Sequence, residues 1–216
     1  MLMPASGRSR FERRRAVTRQ ALVRAARKIL AESGDTSASI RAIAERADVG
    51  FGSFYNHFTC KLDLFEAAVA DALEEYAEAI DEGLRGVDDP AERLAGGVRL
   101  SARLAESHPE VMRILCHSEL GRICAGHGLA PRAKRDVEHG MASGRFTVVD
   151  PVIALTALNG SLLALLELWF NRPEADRDRA AGALAVMLLH MLGVPPDEAR
   201  DLTRRPLPAA TGKGAP

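Results

Sequence analysis

The densest concentration of chemistry-bearing side chains is residues 49–58, VGFGSFYNHF, which holds four of the chain's ten aromatic residues. The phenol of Tyr55, the amide of Asn56 and the imidazole of His57 follow one another downstream of an arginine-rich segment, and such groups are ordinary ligands for phosphate oxygens. A second constellation gathers Cys116-His117, Glu119, Cys124 and His127 within twelve residues. Soft ligands of this kind suit zinc or copper, although the spacing matches no closed zinc pattern. A third group is the Cys60 thiol, placed at the start of a helix where a thiolate is favoured, although the position reads as an inert substitution before it reads as a redox switch. No GxSxG, HExxH or phosphate-cradling glycine loop is present, so the expectation is a binding protein without cofactor and not an enzyme.

The elements that must position these groups read as helices throughout. Apolar residues Leu22, Ala26, Ile29 and Leu30 recur at helical spacing over 18–33, with Gly34 as the stop. Ser39 stands where an N-cap belongs, ahead of a short helix with Ile40, Ile43, Ala44 and Ala47 on one stripe. Asp48-Val49-Gly50 breaks that helix, and a third short helix is expected to reach His57 or Phe58. Three short helices, the last two joined by a tight turn, are the helix-turn-helix arrangement. Its third helix reaches base edges in the major groove of DNA, where Gly52 and Ser53 permit close approach. Phe54 and Phe58 lie four apart and are expected to plug a small core with Leu22, Ile40 and Ile43, leaving Phe51, Tyr55 and Asn56 outward. Beyond them come a long helix over 61–84, about 35 Å in length, and helices over 91–107, 110–125, 132–142, 151–170 and 176–192. That makes nine in all. The Arg-rich residues 1–15 show no periodic face and read as a mobile arm, and 204–216 as a disordered tail.

Charge supports a divided chain. Residues 1–60 carry eleven Arg or Lys against five Asp or Glu, whereas the remainder carries eighteen against twenty-four. A basic head on an acidic body points to a head that meets a polyanion. Three cysteines imply no disulfide framework, and the N-terminal residues show no secretory pattern, so a reducing cytoplasm is expected. The apolar run 152–170 approaches membrane-spanning length. It is interrupted by Thr156, Asn159, Ser161 and Glu167 and lacks a basic flank, which favours a buried helix of a bundle.

Residues 39–69, SIRAIAERADVGFGSFYNHFTCKLDLFEAAV, resemble the DNA-binding domain of the TetR family of bacterial transcriptional regulators. The matching positions are Ile43-Ala44, Val49, Gly52, Tyr55, His57, Phe58, Lys61 and Leu64. The resemblance implies DNA contacts from Ser39, Arg41, Phe51, Gly52, Ser53, Tyr55, Asn56, His57 and Lys61. Departures fall at Asp48, where the family favours glycine and a left-handed turn conformation is expected, and at Gly50, Phe51 and Cys60. It also implies an all-α architecture: residues 16–60 as a helix-turn-helix domain and 61–203 as a ligand-binding and dimerisation bundle. The protein is then expected to act as a homodimeric repressor, released from a palindromic operator on double-stranded DNA by a small apolar effector. A metal- or thiol-responsive regulator, using Cys116, His117, Cys124 and His127 or Cys60, is the alternative. A purely architectural DNA-binding protein would not need the large acidic body.

Within that body, Ala157, Gly160, Ser161 and Ala164, with Ala181, Ala185, Leu188 and Leu192, offer small or apolar faces expected to pair with a second copy. The residues expected to line a ligand pocket are Phe65, Val69, Tyr76, Met112, Leu115, Asn159, Glu167 and Trp169. Asn159 and Glu167 stand out as polar groups in an apolar helix.

Overall fold

A computed structural model describes residues 10–34, 36–117, 129–172 and 174–207. Ten helices and no strand occur among the described residues. The chain divides into two compact units, one ending at Asp71 and the other beginning at Ala72. This division falls inside a helix, eleven residues later than the sequence suggests.

The first unit contains α1 (Arg10–Ser33), α2 (Ile40–Arg46), α3 (Phe51–Phe54) and the start of α4 (Lys61–Gly83). Leu22, Ile43, Phe54 and Phe58 are buried as expected, whereas Ile40 is only half-buried. The Phe54 and Phe58 rings lie 5.9 Å apart, and the Arg19 guanidinium sits 5.1 Å over Phe58, a favourable cation–π geometry. Asp48 takes φ 53°, the left-handed conformation expected of it. Two differences stand out. Residues 10–15, read as part of a mobile arm, are helical: Arg and Glu favour helix intrinsically, and no apolar stripe is needed to form one. The third helix is shorter than expected. After Phe54 the chain tightens, with His57 N donating to Phe54 O at 2.9 Å, the i to i−3 pattern common at helix ends.

In the second unit α5 (Pro90–Ser107) packs against α6 (Pro109–His117), α7 (Leu129–Ala142), α8 (Pro151–Asn171), α9 (Arg177–Met191) and α10 (Pro196–Arg204). Small residues Ala91, Ala95 and Ala102 are buried along α5 and let its neighbours approach closely. Aspartates cap three helices: Asp89 accepts from Ala91 N at 3.1 Å, Asp150 from Val152 N at 2.9 Å and Asp176 from Arg179 N at 3.0 Å, each satisfying a donor the helix leaves open. Gly140 must be glycine, because a Cβ there would collide with the Phe146 ring. The helix α10 was not expected, since Pro195-Pro196 reads as a terminator. Pro196 instead opens α10, with Asp197 and Glu198 in the first turn and Arg204 in the last.

Among the described residues, α8 is the one helix long and apolar enough, by length and composition, to cross a membrane. Within the single chain it is buried along one side only. Ala154, Leu158, Leu162, Leu166 and Trp169 form one buried stripe, while Val152, Ile153 and Leu168 are exposed.

Candidate functional site

The helix-turn-helix head is built from its caps upward. Ser39 holds extended backbone (φ −71°, ψ 149°), and its Oγ accepts from Ala42 N at 3.1 Å. That bond uses one lone pair and leaves the hydroxyl proton to donate. Gly50 caps α3 without a side chain, as expected. Phe51 and Tyr55 are 53% and 57% exposed, and their rings meet edge-on at 5.9 Å. Gly52 and Asn56 are exposed, and Ser53 and His57 half-buried. The aromatic cluster therefore splits as its spacing predicts, with Phe54 and Phe58 inward and Phe51 and Tyr55 outward.

Charge surrounds this surface. Arg15 donates to Asn56 O at 3.3 Å, bringing α1 beside the residues that follow α3. Phe11, Arg14, Arg15, Thr18, Ser53, Asn56 and His57 line an open concavity there. Partial burial and the nearby Arg15 and Arg19 hold the His57 imidazole below its ordinary pKa of 6.5. Arg41 is exposed and pairs with Glu45 at 3.1 Å, a contact that costs little to exchange for a phosphate. Lys61 Nζ donates to Ser37 O at 3.0 Å, which ties the start of α4 to the loop before α2.

The cap of α4 is better than the sequence suggests. Asp63 accepts from Thr59 N at 3.2 Å and from the Thr59 hydroxyl, and these bonds hold its carboxyl below the usual range. The missed signal is a capping-box spacing shifted by one residue. Cys60 is exposed, and its Sγ donates to Asp63 at 3.3 Å, so the neighbour of this thiol is an anion. Among the described residues, no group of three or more His, Cys, Asp or Glu side chains is placed to hold a metal. Glu119, Cys124 and His127 lie outside the described residues, as do the side chains of Cys116 and His117.

In the second unit a cavity of about 80 Å³ lies among α4, α5, α7 and α8. Its apolar wall includes Ile80, Leu84, Val98, Leu158 and Leu162. Its polar side is an ion-pair cluster. Arg132 donates to Asp81 and to Glu74, each at 2.6 Å, while Arg93 reaches Asp81 at 3.3 Å and Asp136 at 3.4 Å. Arg135 adds a bond to Asp136 at 3.2 Å. Hydrogen bonds to Glu74 and then Asp81 push the Arg132 pKa above its ordinary value. None of these charged residues stands out in the sequence, where each looks like a solvated helix charge.

Of the expected pocket residues, Asn159 lines the cavity. Tyr76 and Trp169 are buried, the Tyr76 phenol beside the Ser101 hydroxyl, while the indole nitrogen has no hydrogen-bond partner. Met112 and Leu115 are buried core, and Phe65 and Val69 are buried in the first unit. Glu167 is a correction: it is exposed, because α8 is apolar on both sides and Glu167 lies on the open one. The expected dimer residues divide as well. Ala157, Gly160 and Ser161 are half-exposed and Ala164 exposed. Ala181, Ala185, Leu188 and Leu192 are buried inside the single chain, since α9 packs that face against its own neighbours, α5 above all. The open face of α9 carries Met187 and Met191 instead.

Residues 22–68 match the model of bacterial regulatory proteins of the tetR family, and residues 89–205 match the tetracyclin repressor-like C-terminal domain. The solved structure of RolR in complex with resorcinol is 34% identical, covers 93% of this chain and 100% of its own, and superposes with a TM-score of 0.64. RolR without ligand is 33% identical over 89% of this chain and 100% of its own, with a TM-score of 0.70. YhgD of Bacillus subtilis (strain 168), an uncharacterized HTH-type transcriptional regulator, is 22% identical over 78% of this chain and 93% of its own. Both halves of the sequence are thus accounted for by one family of transcriptional regulators, and the chain belongs to the TetR family of bacterial regulatory proteins.

Proposed function

We propose that this protein is a cytoplasmic repressor that binds an inverted-repeat operator as a homodimer and leaves it when a small hydroxylated aromatic molecule occupies the cavity of the second unit. DNA reading is assigned to Ser39, Arg41, Phe51, Gly52, Ser53, Tyr55, Asn56, His57 and Lys61. The observation that carries this assignment is the outward placement of Gly52, Tyr55 and Asn56 over a core closed by Phe54 and Phe58.

A head of this size reads few base pairs, so two copies are needed to span a symmetric site. The surface for the second copy is the open side of α8, with Ile153, Gly160 and Ala164, together with Met187 and Met191 of α9. Exposed apolar residues on neighbouring helices mark an interaction face.

The effector class follows from the cavity. Its apolar wall suits a ring, and its carboxylates accept hydroxyl protons. A volume of about 80 Å³ is about half that of a cavity of about 150 Å³ that holds benzene, so a ligand of more than one ring is excluded and a single ring enters only as the surrounding side chains give way. The resorcinol bound to RolR, 34% identical to this chain, is a ligand of that kind.

Selection of bound duplexes from random DNA by the purified protein tests the reading. An enriched inverted repeat, released by millimolar resorcinol or a related phenol, is the expected result. No enrichment at any salt concentration refutes DNA reading, and enrichment without release by any phenol refutes the effector class.

A further inference from the structure

The start of α1 has no part in the reading assigned above, yet it is built as a continuation of the head. The buried stripe of Leu22, Ala25, Ala26 and Leu30 runs on toward the N-terminus, at the same three- and four-residue spacing, through Thr18, Arg15, Arg14 and Phe11. A helix keeps such a stripe where something covers it. Leu22 and Ala26 are fully covered by the rest of the head. Over the first two turns the cover is missing: Phe11 is 74% exposed, and Arg14 and Arg15 are exposed as well.

The surroundings of this stripe are chemically uniform. Arg14, Arg15 and Thr18 share an open concavity with Ser53, Asn56 and His57, and no carboxylate lines it, Glu12 included. Arg15 uses one N–H on Asn56 O at 3.3 Å, which sets α1 against the residues after α3 and leaves its other donors open. The Arg14 guanidinium makes no hydrogen bond or ion pair with any described residue. Cations on one wall and the neutral donors of Ser53 and Asn56 on the other are what an anionic phosphodiester oxygen needs. The concavity adjoins Ser53 and Asn56, so the backbone it can reach is that next to the bases under α3.

Resting on the DNA reading proposed above, we infer that the first two turns of α1 are a second DNA-binding element, in which Arg14 and Arg15 hold backbone phosphate in the concavity they share with Ser53 and Asn56. This contact is blind to sequence. It supplies affinity and salt dependence, while α3 supplies the choice of bases.

The test titrates the full-length protein and its Arg14→Gln, Arg14→Lys and Arg13→Gln variants, over a range of salt concentrations, against a duplex selected by the wild type and against a scrambled one. Gln and Lys match Arg closely as helix formers, and Arg13 removes the same charge from the same helix without lining the concavity. Each phosphate contact contributes about 0.9 to the slope of log affinity against log salt. Arg14→Gln in both copies of a dimer should therefore flatten that slope by about 1.8, equally on both duplexes, and leave the selected sequence unchanged. Arg14→Lys should restore the slope and Arg13→Gln should keep it. With no partner lost, Arg14→Gln should melt with the wild type. An unchanged slope in Arg14→Gln overturns the inference. Equal flattening by Arg13→Gln also overturns it, since the attraction is then the diffuse charge of the helix, and so does a loss confined to the selected duplex, since Arg14 then reads bases. Failure of the wild type to select any duplex overturns DNA reading itself, and the role of Arg14 with it.

Discussion

Replacing Ser39 by Asp separates the two tasks of that side chain. In the structure Ser39 Oγ accepts from Ala42 N at 3.1 Å, and an aspartate makes the same cap, with Asp and Ser about equal as N-caps. Its charge also suits a helix N-terminus by about 0.3–1 kcal/mol. Stability of Ser39→Asp should therefore lie within about 0.5 kcal/mol of the wild type or slightly above it, whereas Ser39→Ala loses the cap and about 1 kcal/mol. DNA binding responds in the opposite sense. Where Ser39 donates its proton to a phosphate, the aspartate places a negative charge about 6 Å from another. Coulomb repulsion there is about 0.7 kcal/mol at the dielectric of water and about 2.8 kcal/mol at an effective value near 20. Taking about 1.4 kcal/mol, each half-site loses about tenfold in affinity and a symmetric dimer about a hundredfold. Denaturant unfolding gives the first quantity, and fluorescence anisotropy on a duplex selected by the protein gives the second. If Ser39→Asp binds that duplex as tightly as the wild type at low salt, the N-terminus of α2 does not face the DNA backbone and the assigned docking is wrong.

Acidity should act on the same head in two opposite directions. Because His57 is held below 6.5 by burial and by Arg15 and Arg19, the unfolded chain takes up a proton before the folded one does, and stability falls as pH drops below about 6.5. A phosphate beside the ring reverses the preference, so operator affinity should rise between pH 7.5 and 6, and His57→Gln should remove both trends; a flat affinity profile in the wild type would exclude His57 from the interface. Met187 is 69% exposed on the proposed pairing face, and Met187→Glu should convert a dimer into the 23.3 kDa monomer in sedimentation and abolish operator binding. A dimeric Met187→Glu protein would place the interface elsewhere.

The reading head was legible in the sequence because its signals are local. Ser39, Asp48 and the four-residue spacing of Phe54 and Phe58 each declare a backbone or core position within one turn of chain. The cavity was not legible, because its polar side is assembled from α4, α5 and α7. Asp81, Arg93, Arg132 and Asp136 acquire meaning only when those helices bring them within 3.4 Å of one another. Glu167 misled for a related reason. A lone charge in an apolar helix suggests burial only if that helix has a single apolar side, and α8 has two. The alanines of α9 signalled close packing correctly but did not reveal with what. Residues 10–15 escaped notice because intrinsic propensity forms them with no apolar stripe to mark them, and α10 because Pro195-Pro196 reads as a stop, although Pro196 opens a helix whose buried side carries Ala199 and Leu202.

Asp48 has a consequence for how freely this head can change. A side chain in the left-handed region carries a steric cost of about 1–2 kcal/mol, yet glycine at the same place would give the unfolded chain more freedom to lose on folding, at roughly 0.4–1 kcal/mol. The two costs are of similar size and opposite in sign. Position 48 can therefore drift among aspartate, asparagine and glycine over evolutionary time with little thermodynamic penalty, and the tight corner before α3 persists whichever of them occupies it.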